Sequence, residues 1–204
     1  MYKIGLTGGI CAGKTFVLNI FKELECYTLR ADDIAKKIIF ASNSGIREQI
    51  IATFGEEIYD ENKSLKKDEF TRILFEDEEK RNFINSLVHP QVKTERDNLI
   101  ESLEEAGVYE FFIYESALLV ESGIYKDFDK VVVVYTTPDE QIKRLMERDG
   151  IAVEEAESRI KAQFPLSEKL KVAHYTIDTT GSFENAKAKT LETFHLMKKD
   201  LKIL

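Results

Sequence analysis

Residues 8–15 read Gly-Gly-Ile-Cys-Ala-Gly-Lys-Thr, a full match to G-x-x-x-x-G-K-S/T, and no other stretch constrains the fold as strongly. Such a loop cradles phosphate only between a strand and the start of a helix, and both flanks are legible. Lys3 to Thr7 reads as a buried strand running straight into the glycine turn, and Val17, Leu18, Ile20, Phe21 and Leu24 recur at helical spacing just beyond it. Phosphates crowd the backbone of such a loop, so Gly8, Gly9 and Gly13 stand where a Cβ would block their approach. The loop amides and the positive end of the following helix point donors at the anion. In this pattern Lys14 reaches the β- and γ-phosphates of a nucleotide, and the Thr15 hydroxyl ligates Mg2+.

The rest of the chain supplies the elements that a loop of this kind needs. Cys26 to Leu29 reads as a second strand, and Asp32 or Asp33 starts a helix after it. Glu110 to Glu115 and Lys130 to Thr136 are short β-rich runs suited to a sheet covered on both faces. Thr137 can cap the next helix, Pro138 suits its first position, and Glu140 completes a capping box. Tyr175 to Asp178 reads as a last strand and Phe183 to Lys199 as a closing helix. Between Ile46 and about Ala106 the patterns are helical, with charged turns and no convincing strand. Strands separated by helices predict an α/β fold with a parallel sheet, and the strand-free stretch predicts an inserted helical subdomain. The expected division is a core of residues 1–45, 107–140 and 170–204, a helical insert of 46–106 and a lid of 141–169. The acidic clusters Glu76 to Glu79 and Glu154 to Glu157 read as solvated helix faces.

A formal net charge of −8 argues against a general nucleic-acid binder, which needs a broad basic surface, but not against one polyphosphate ligand held by a few local cations. Two cysteines, Cys11 and Cys26, read as reduced thiols. The opening MYKIGLTGG is too short and glycine-rich for a signal peptide, and no run reaches the roughly 18 apolar residues of a membrane span. A cytoplasmic protein is the expectation.

A phosphate loop alone does not separate a kinase from a GTPase. Asp178-Thr179-Thr180-Gly181 spells D-x-x-G, a GTPase motif, yet it follows the last strand instead of lying soon after the loop. No N-K-x-D motif is present, since Asn62-Lys63-Ser64-Leu65 lacks the aspartate, so the GTPase reading fails. Arg144 and Arg148 lie four apart on a helix whose other side carries Ile142, Leu145 and Met146, so both project from one face. With Arg159, Gln163 and Lys169 behind them, they read either as a lid bringing arginines to a transferring phosphate or as a salt-bridged surface helix. Asp32 and Asp33 follow the second strand, where a carboxylate can accept a hydroxyl proton, help hold a metal or cap a helix. His89-Pro90 reads as a structural pair at a helix boundary. Glu115 reads as a possible water-mediated magnesium ligand or an ordinary strand-end charge.

Together these segments resemble the dephospho-coenzyme A kinase family over nearly the whole chain. IGLTGGICAGKT resembles the family's GLTGGIGSGKS, and ADDIAKKI from Ala31 resembles its DADxIA helix start. The Val88-His89-Pro90 triplet, the run from Ala117 to Glu121 and the QIKRLMERDG segment ending at Gly150 follow in order, as do Arg159, Gln163, Lys169 and Ile177 to Gly181. The resemblance implies a P-loop nucleotide-binding core with a helical acceptor domain and a lid, and transfer of phosphate from Mg·ATP to the 3′-hydroxyl of dephospho-CoA. It implies that Cys11, Ala12, Gly13, Lys14, Thr15 and Phe16 cradle ATP with help from Arg148. Asp32 would be the base, and Lys14 and Arg144 would act on the transferring phosphate. Four departures accompany it. Cys11 and Ala12 stand for Gly and Ser, Arg30 for the first aspartate of DAD, Ala117 for a proline, and His174 and Thr179 for Asp and Asn. The alternatives are another small-molecule P-loop kinase, such as a nucleoside monophosphate kinase, and a non-catalytic ATP-binding regulator.

Overall fold

The structure, a computed structural model, describes residues 1–41 and 45–202. The chain divides into two compact units, residues 1–30 with 106–204, and residues 31–105. The first is built on a parallel sheet of β1 (Tyr2–Gly8), β2 (Tyr27–Arg30), β3 (Phe111–Glu115), β4 (Lys130–Tyr135) and β5 (Tyr175–Asp178), in the order β2-β3-β1-β4-β5. The alternating pattern thus gives the parallel α/β fold it predicts.

The central strands are buried on both faces because they are apolar at nearly every position. Phe111 to Glu115 and Val131 to Val134 are all buried, and on β1 Ile4 and Leu6 are fully enclosed. Val17 and Phe21 of α1 (Lys14–Glu23) and Phe194 and Met197 of α9 (Phe183–Asp200) close one face of this core. The chain leaves β1 for the edge strand β2, returns to β3, then crosses to β4 and β5. The loop after β1 therefore lies where connections diverge to opposite sides, the place in an open parallel sheet where a crevice forms at the strands' carboxyl ends.

Beyond β4 come α6 (Pro138–Asp149), α7 (Val153–Lys161) and the short α8 (Leu166–Lys171). Thr137 caps α6 as expected, its hydroxyl accepting from the Glu140 amide at 3.3 Å, with Pro138 in the first turn. The capping box is one-sided, however, because the Glu140 carboxylate is turned to Arg144, 2.7 Å away. A charged partner one turn on outcompetes a neutral backbone donor. His174 serves as an acceptor: its Nδ1 receives the Val131 amide at 3.2 Å. Burial first, and Lys130 second, hold its pKa below the ordinary value, which suits a neutral ring in that role.

The second unit carries α2 (Ala31–Phe40), α3 (Arg47–Phe54), α4 (Lys67–Glu76) and α5 (Glu78–Ala106). Its buried apolar residues include Ile50, Phe54, Ile58, Phe70, Ile84 and Val88, with the Phe54 and Phe70 rings 5.0 Å apart. Its β pairing among the described residues is a lone bridge between Tyr59 and Leu65. The His89-Pro90 pair does not mark a helix boundary. Pro90 lies inside the 29-residue α5, and His89 is exposed. Proline removes one backbone bond there, but the buried stripe Ile84, Val88 and Val92 runs through the site and keeps both halves of the helix docked.

Candidate functional site

The loop between β1 and α1 presents its carbonyl oxygens to a ring of donors. Lys14 Nζ donates to the carbonyls of Gly8 at 3.1 Å and Gly9 at 2.9 Å. Gln141 Nε2 donates to Ile10 O at 2.7 Å, Arg144 to Cys11 O at 3.5 Å, and the Thr179 hydroxyl to Ala12 O at 2.8 Å. Five successive carbonyls, Gly8 to Ala12, are thereby engaged. A phosphate site needs this, since a carbonyl oxygen turned toward the anion would repel it. Gly8 has no room for a side chain, because a Cβ there would sit 2.1 Å from the Val134 carbonyl of β4. Gly13 holds the left-handed conformation, φ +87°, that turns the loop into the first turn of α1. Thr15 follows in that turn, exposed, and its hydroxyl has no protein partner among the described residues.

Cations converge on this loop. The Arg144 guanidinium, besides its Glu140 pairing, donates to the Thr179 carbonyl at 2.8 Å and to its hydroxyl at 3.3 Å. Arg148 forks onto Asp149 at 2.7 and 3.0 Å, and Arg159 reaches the same carboxylate at 2.9 Å. The hydrogen bond from Arg148 holds the Asp149 carboxyl below its ordinary range. So the two arginines of one helix face separate, Arg144 toward the loop and Arg148 toward Asp149. Burial pushes the Cys11 thiol above its ordinary value, while Arg148, Lys14 and Arg144 pull it down. Cys11 is thus a protonated thiol at neutral pH, and its place in the loop is a backbone one. It takes φ +53°, which a glycine would hold without strain.

Beside the loop lies a cleft of about 320 Å3 whose walls include Cys11, Phe16, Arg144, Thr179, Gly181 and Phe183. The Phe16 and Phe183 rings are 5.1 Å apart. Sequence reading singled out Phe16 but missed Phe183, which opens α9 more than 160 positions later. Thr179 was read only as a departure and as part of a decoy motif. It is buried, and its one hydroxyl links Ala12 of the loop, the Tyr135 carbonyl of β4 and Arg144. Thr179→Val keeps the shape and strands the Ala12 carbonyl, so it is expected to destabilise the fold by about 1–3 kcal/mol in urea unfolding, with Thr179→Ser close to wild type.

At the carboxyl edge of the sheet, Glu115 is buried and pairs with Arg30, its register partner on β2, at 3.3 Å. Lys169, grouped by sequence with the lid, is instead buried on α8. Its ammonium donates to Ala117 O at 2.6 Å and pairs with Glu121 at 3.1 Å. The Thr7 hydroxyl also donates to Ala117 O. Both contacts use only the Ala117 carbonyl, which a proline would equally provide, so this departure leaves the tie intact. Asp32 and Asp33 lie exposed in the first turn of α2, where carboxylates complement the helix dipole. That helix opens the second unit directly after Arg30 ends β2.

The described residues hold no helix long and apolar enough to cross a membrane and no His, Cys, Asp and Glu cluster able to hold a metal by itself. Both cysteines are free.

Comparison with known proteins places these features in a family. The dephospho-CoA kinase family model matches residues 2–185. A dephospho-CoA kinase of Aquifex aeolicus is 35% identical over 200 residues, covering 98% of this chain and 100% of its own. One from Listeria monocytogenes serotype 4b is 38% identical over 191 residues, covering 92% and 93%. Among solved structures, the protein TT1252 from Thermus thermophilus superposes with a TM-score of 0.75 at 27% identity, covering 96% of this chain and 97% of that one.

Proposed function

The chain belongs to the dephospho-CoA kinase family, which makes coenzyme A from dephospho-CoA and ATP in the final step of its biosynthesis, and we propose how its own residues divide that transfer. The loop from Gly8 to Thr15, with Gly9, Cys11, Ala12 and Gly13 in its backbone, receives the ATP phosphates. Lys14 takes the β- and γ-oxygens, Arg144 offsets the charge that develops on the transferring group, Arg148 helps to hold ATP, and Phe16 with Phe183 forms the apolar wall for the adenine. The observation that supports this reading best is the ring of donors on the carbonyls of Gly8 to Ala12. It prepares an anion site in advance of the anion, and preorganised electrostatics supply most of the catalysis in phosphoryl transfer.

The residues fit a magnesium ion of the kind that travels with the nucleotide. Mg2+ in such sites keeps several waters and takes one or two protein oxygens besides the substrate phosphates. Thr15, exposed and with an unengaged hydroxyl, is the residue to hold it, and the ion would neutralise charge on the phosphate oxygens. On the acceptor side Asp32 receives the proton of the ribose 3′-hydroxyl as its oxygen bonds to the γ-phosphorus. The bond from that phosphorus to the β,γ-bridging oxygen breaks, and ADP leaves. ATP and dephospho-CoA are the partners this reading assigns, and the cytoplasm the compartment.

ADP release measured over a panel of acceptors tests the proposal. With dephospho-CoA, turnover requiring Mg2+ is expected, with AMP, nucleosides and shikimate at background. Faster turnover of AMP or shikimate than of dephospho-CoA would overturn the acceptor assignment, and no turnover with any acceptor would favour a regulator.

A further inference from the structure

Two glutamines of the segment after β4 grip one residue of the phosphate loop from opposite sides. Gln141, in the first turn of α6, donates through Nε2 to the Ile10 carbonyl at 2.7 Å, and Gln163, just past α7, accepts the Ile10 amide on Oε1 at 2.7 Å. They lie 131 and 153 positions from Ile10 in the chain. Neither is charged, and neither is needed to neutralise a phosphate. What they control is the orientation of two consecutive peptides. The Gly9–Ile10 peptide is held at its oxygen by Lys14 and at its N–H by Gln163, and the Ile10–Cys11 peptide is held at its oxygen by Gln141.

This grip bears directly on Gly9. A Cβ built on Gly9 would lie 2.6 Å from Gln141 Nε2 and 3.7 Å from Gln163 Oε1. The Gln141 side chain is flexible in itself, but its amide is committed to Ile10, so it cannot withdraw without giving up that bond. The next residue but one, Cys11, holds a left-handed φ of +53° that relaxes unless its surroundings fix it.

We propose that Gly9 is a glycine to admit the Gln141 amide, and that Gln141 and Gln163 are positioning residues that set the phosphate loop's peptides for the nucleotide. The proposal rests on the assignment of ATP to this loop and adds what holds the loop in shape. When Lys14 turns from the Gly9 carbonyl to a phosphate, the Gly9–Ile10 peptide keeps the long Ala12 amide contact on its oxygen, at 3.3 Å, and the shorter bond from its N–H to Gln163, at 2.7 Å. Loss of Gln163 is therefore felt more in nucleotide affinity than in the stability of the protein alone.

The test is a double-mutant cycle on the full chain, with ATP affinity read by calorimetry and melting temperature read without nucleotide. Gln141→Ala and Gln163→Met are each expected to weaken ATP about fivefold, the worth of one ordinary hydrogen bond, with Gln163→Met melting close to wild type. Gly9→Ala is expected to weaken ATP and lower the melting temperature. In Gly9→Ala/Gln141→Ala the space is free, so the double variant should bind ATP and melt like Gln141→Ala alone. If the effects of Gly9→Ala and Gln141→Ala simply multiply, Gly9 serves phosphate approach instead and the proposal fails. It fails likewise if Gln163→Met binds ATP as wild type does. Should Gly9→Ala not fold, recovery of folding by Gln141→Ala supports the proposal and continued failure overturns it. The melting arm needs no nucleotide, so it stays decisive even if the wild-type chain binds no ATP, a result that would sink the nucleotide assignment separately.

Discussion

Lys14→Ala is expected to lose about a hundred- to a thousandfold in turnover while folding normally. The ammonium donates to two carbonyls of its own loop, Gly8 at 3.1 Å and Gly9 at 2.9 Å. Those neutral oxygens are weaker partners than phosphate oxygens, so the exchange toward a nucleotide is favourable. The same geometry limits the structural damage. Gly9 O also receives the Ala12 amide, at 3.3 Å, so it keeps a partner when the lysine is gone. The variant thus loses a positive charge aimed at the reacting phosphate and little of its packing. Steady-state turnover with a circular-dichroism melt separates the two effects. A well-folded Lys14→Ala that turns over like wild type would remove the phosphate loop from the mechanism.

The loop was the most legible part of the chain because its chemistry is local. A strand, a glycine turn and a helix start within about twenty residues leave their signature in consecutive positions, and the Thr137–Pro138 helix start is legible for the same reason. The parallel sheet followed from strands separated by helices. What the sequence hid was long-range partner choice. Arg144 and Arg148 share a helix face by spacing, but spacing does not say that Thr179 and the Cys11 carbonyl will draw one while Asp149 draws the other. Lys169 looked like a lid cation, yet burial beside Glu121 and the Ala117 carbonyl turns it into a tie to the loop after β3. Pro90 misled as a boundary because helix propensity yields to a continuous buried stripe. Gln141 carried no chemical signal at all, since an amide beside a glycine becomes meaningful only when folding brings α6 against the loop.

Asp32→Asn is expected to retain ATP affinity and lose about a hundred- to ten-thousandfold in turnover, the span typical of a missing general base, while Asp33→Asn stays close to wild type. Stability cannot tell these residues apart. Both lie exposed in the first turn of α2, and each carboxylate there contributes only about 0.3–1 kcal/mol through the helix dipole. Direction can. Successive residues on an α-helix turn by about 100°, so two neighbouring carboxylates do not address the same hydroxyl. Arg30, just before α2, is no base, and it is paired with Glu115 at 3.3 Å. Glu115 is buried and committed to Arg30, so Asp32 is the carboxylate to which the proposal assigns the proton. Asparagine preserves the shape of Asp32 and its capacity to accept a hydrogen bond but cannot take the proton, so substrate binding survives where transfer does not. Turnover of both variants with dephospho-CoA, and ATP affinity measured separately, decide the matter. A dead Asp33→Asn beside an active Asp32→Asn would move the base by one residue. If both variants turn over freely, the proton leaves by another route and the acceptor carboxylate must be sought elsewhere in the chain.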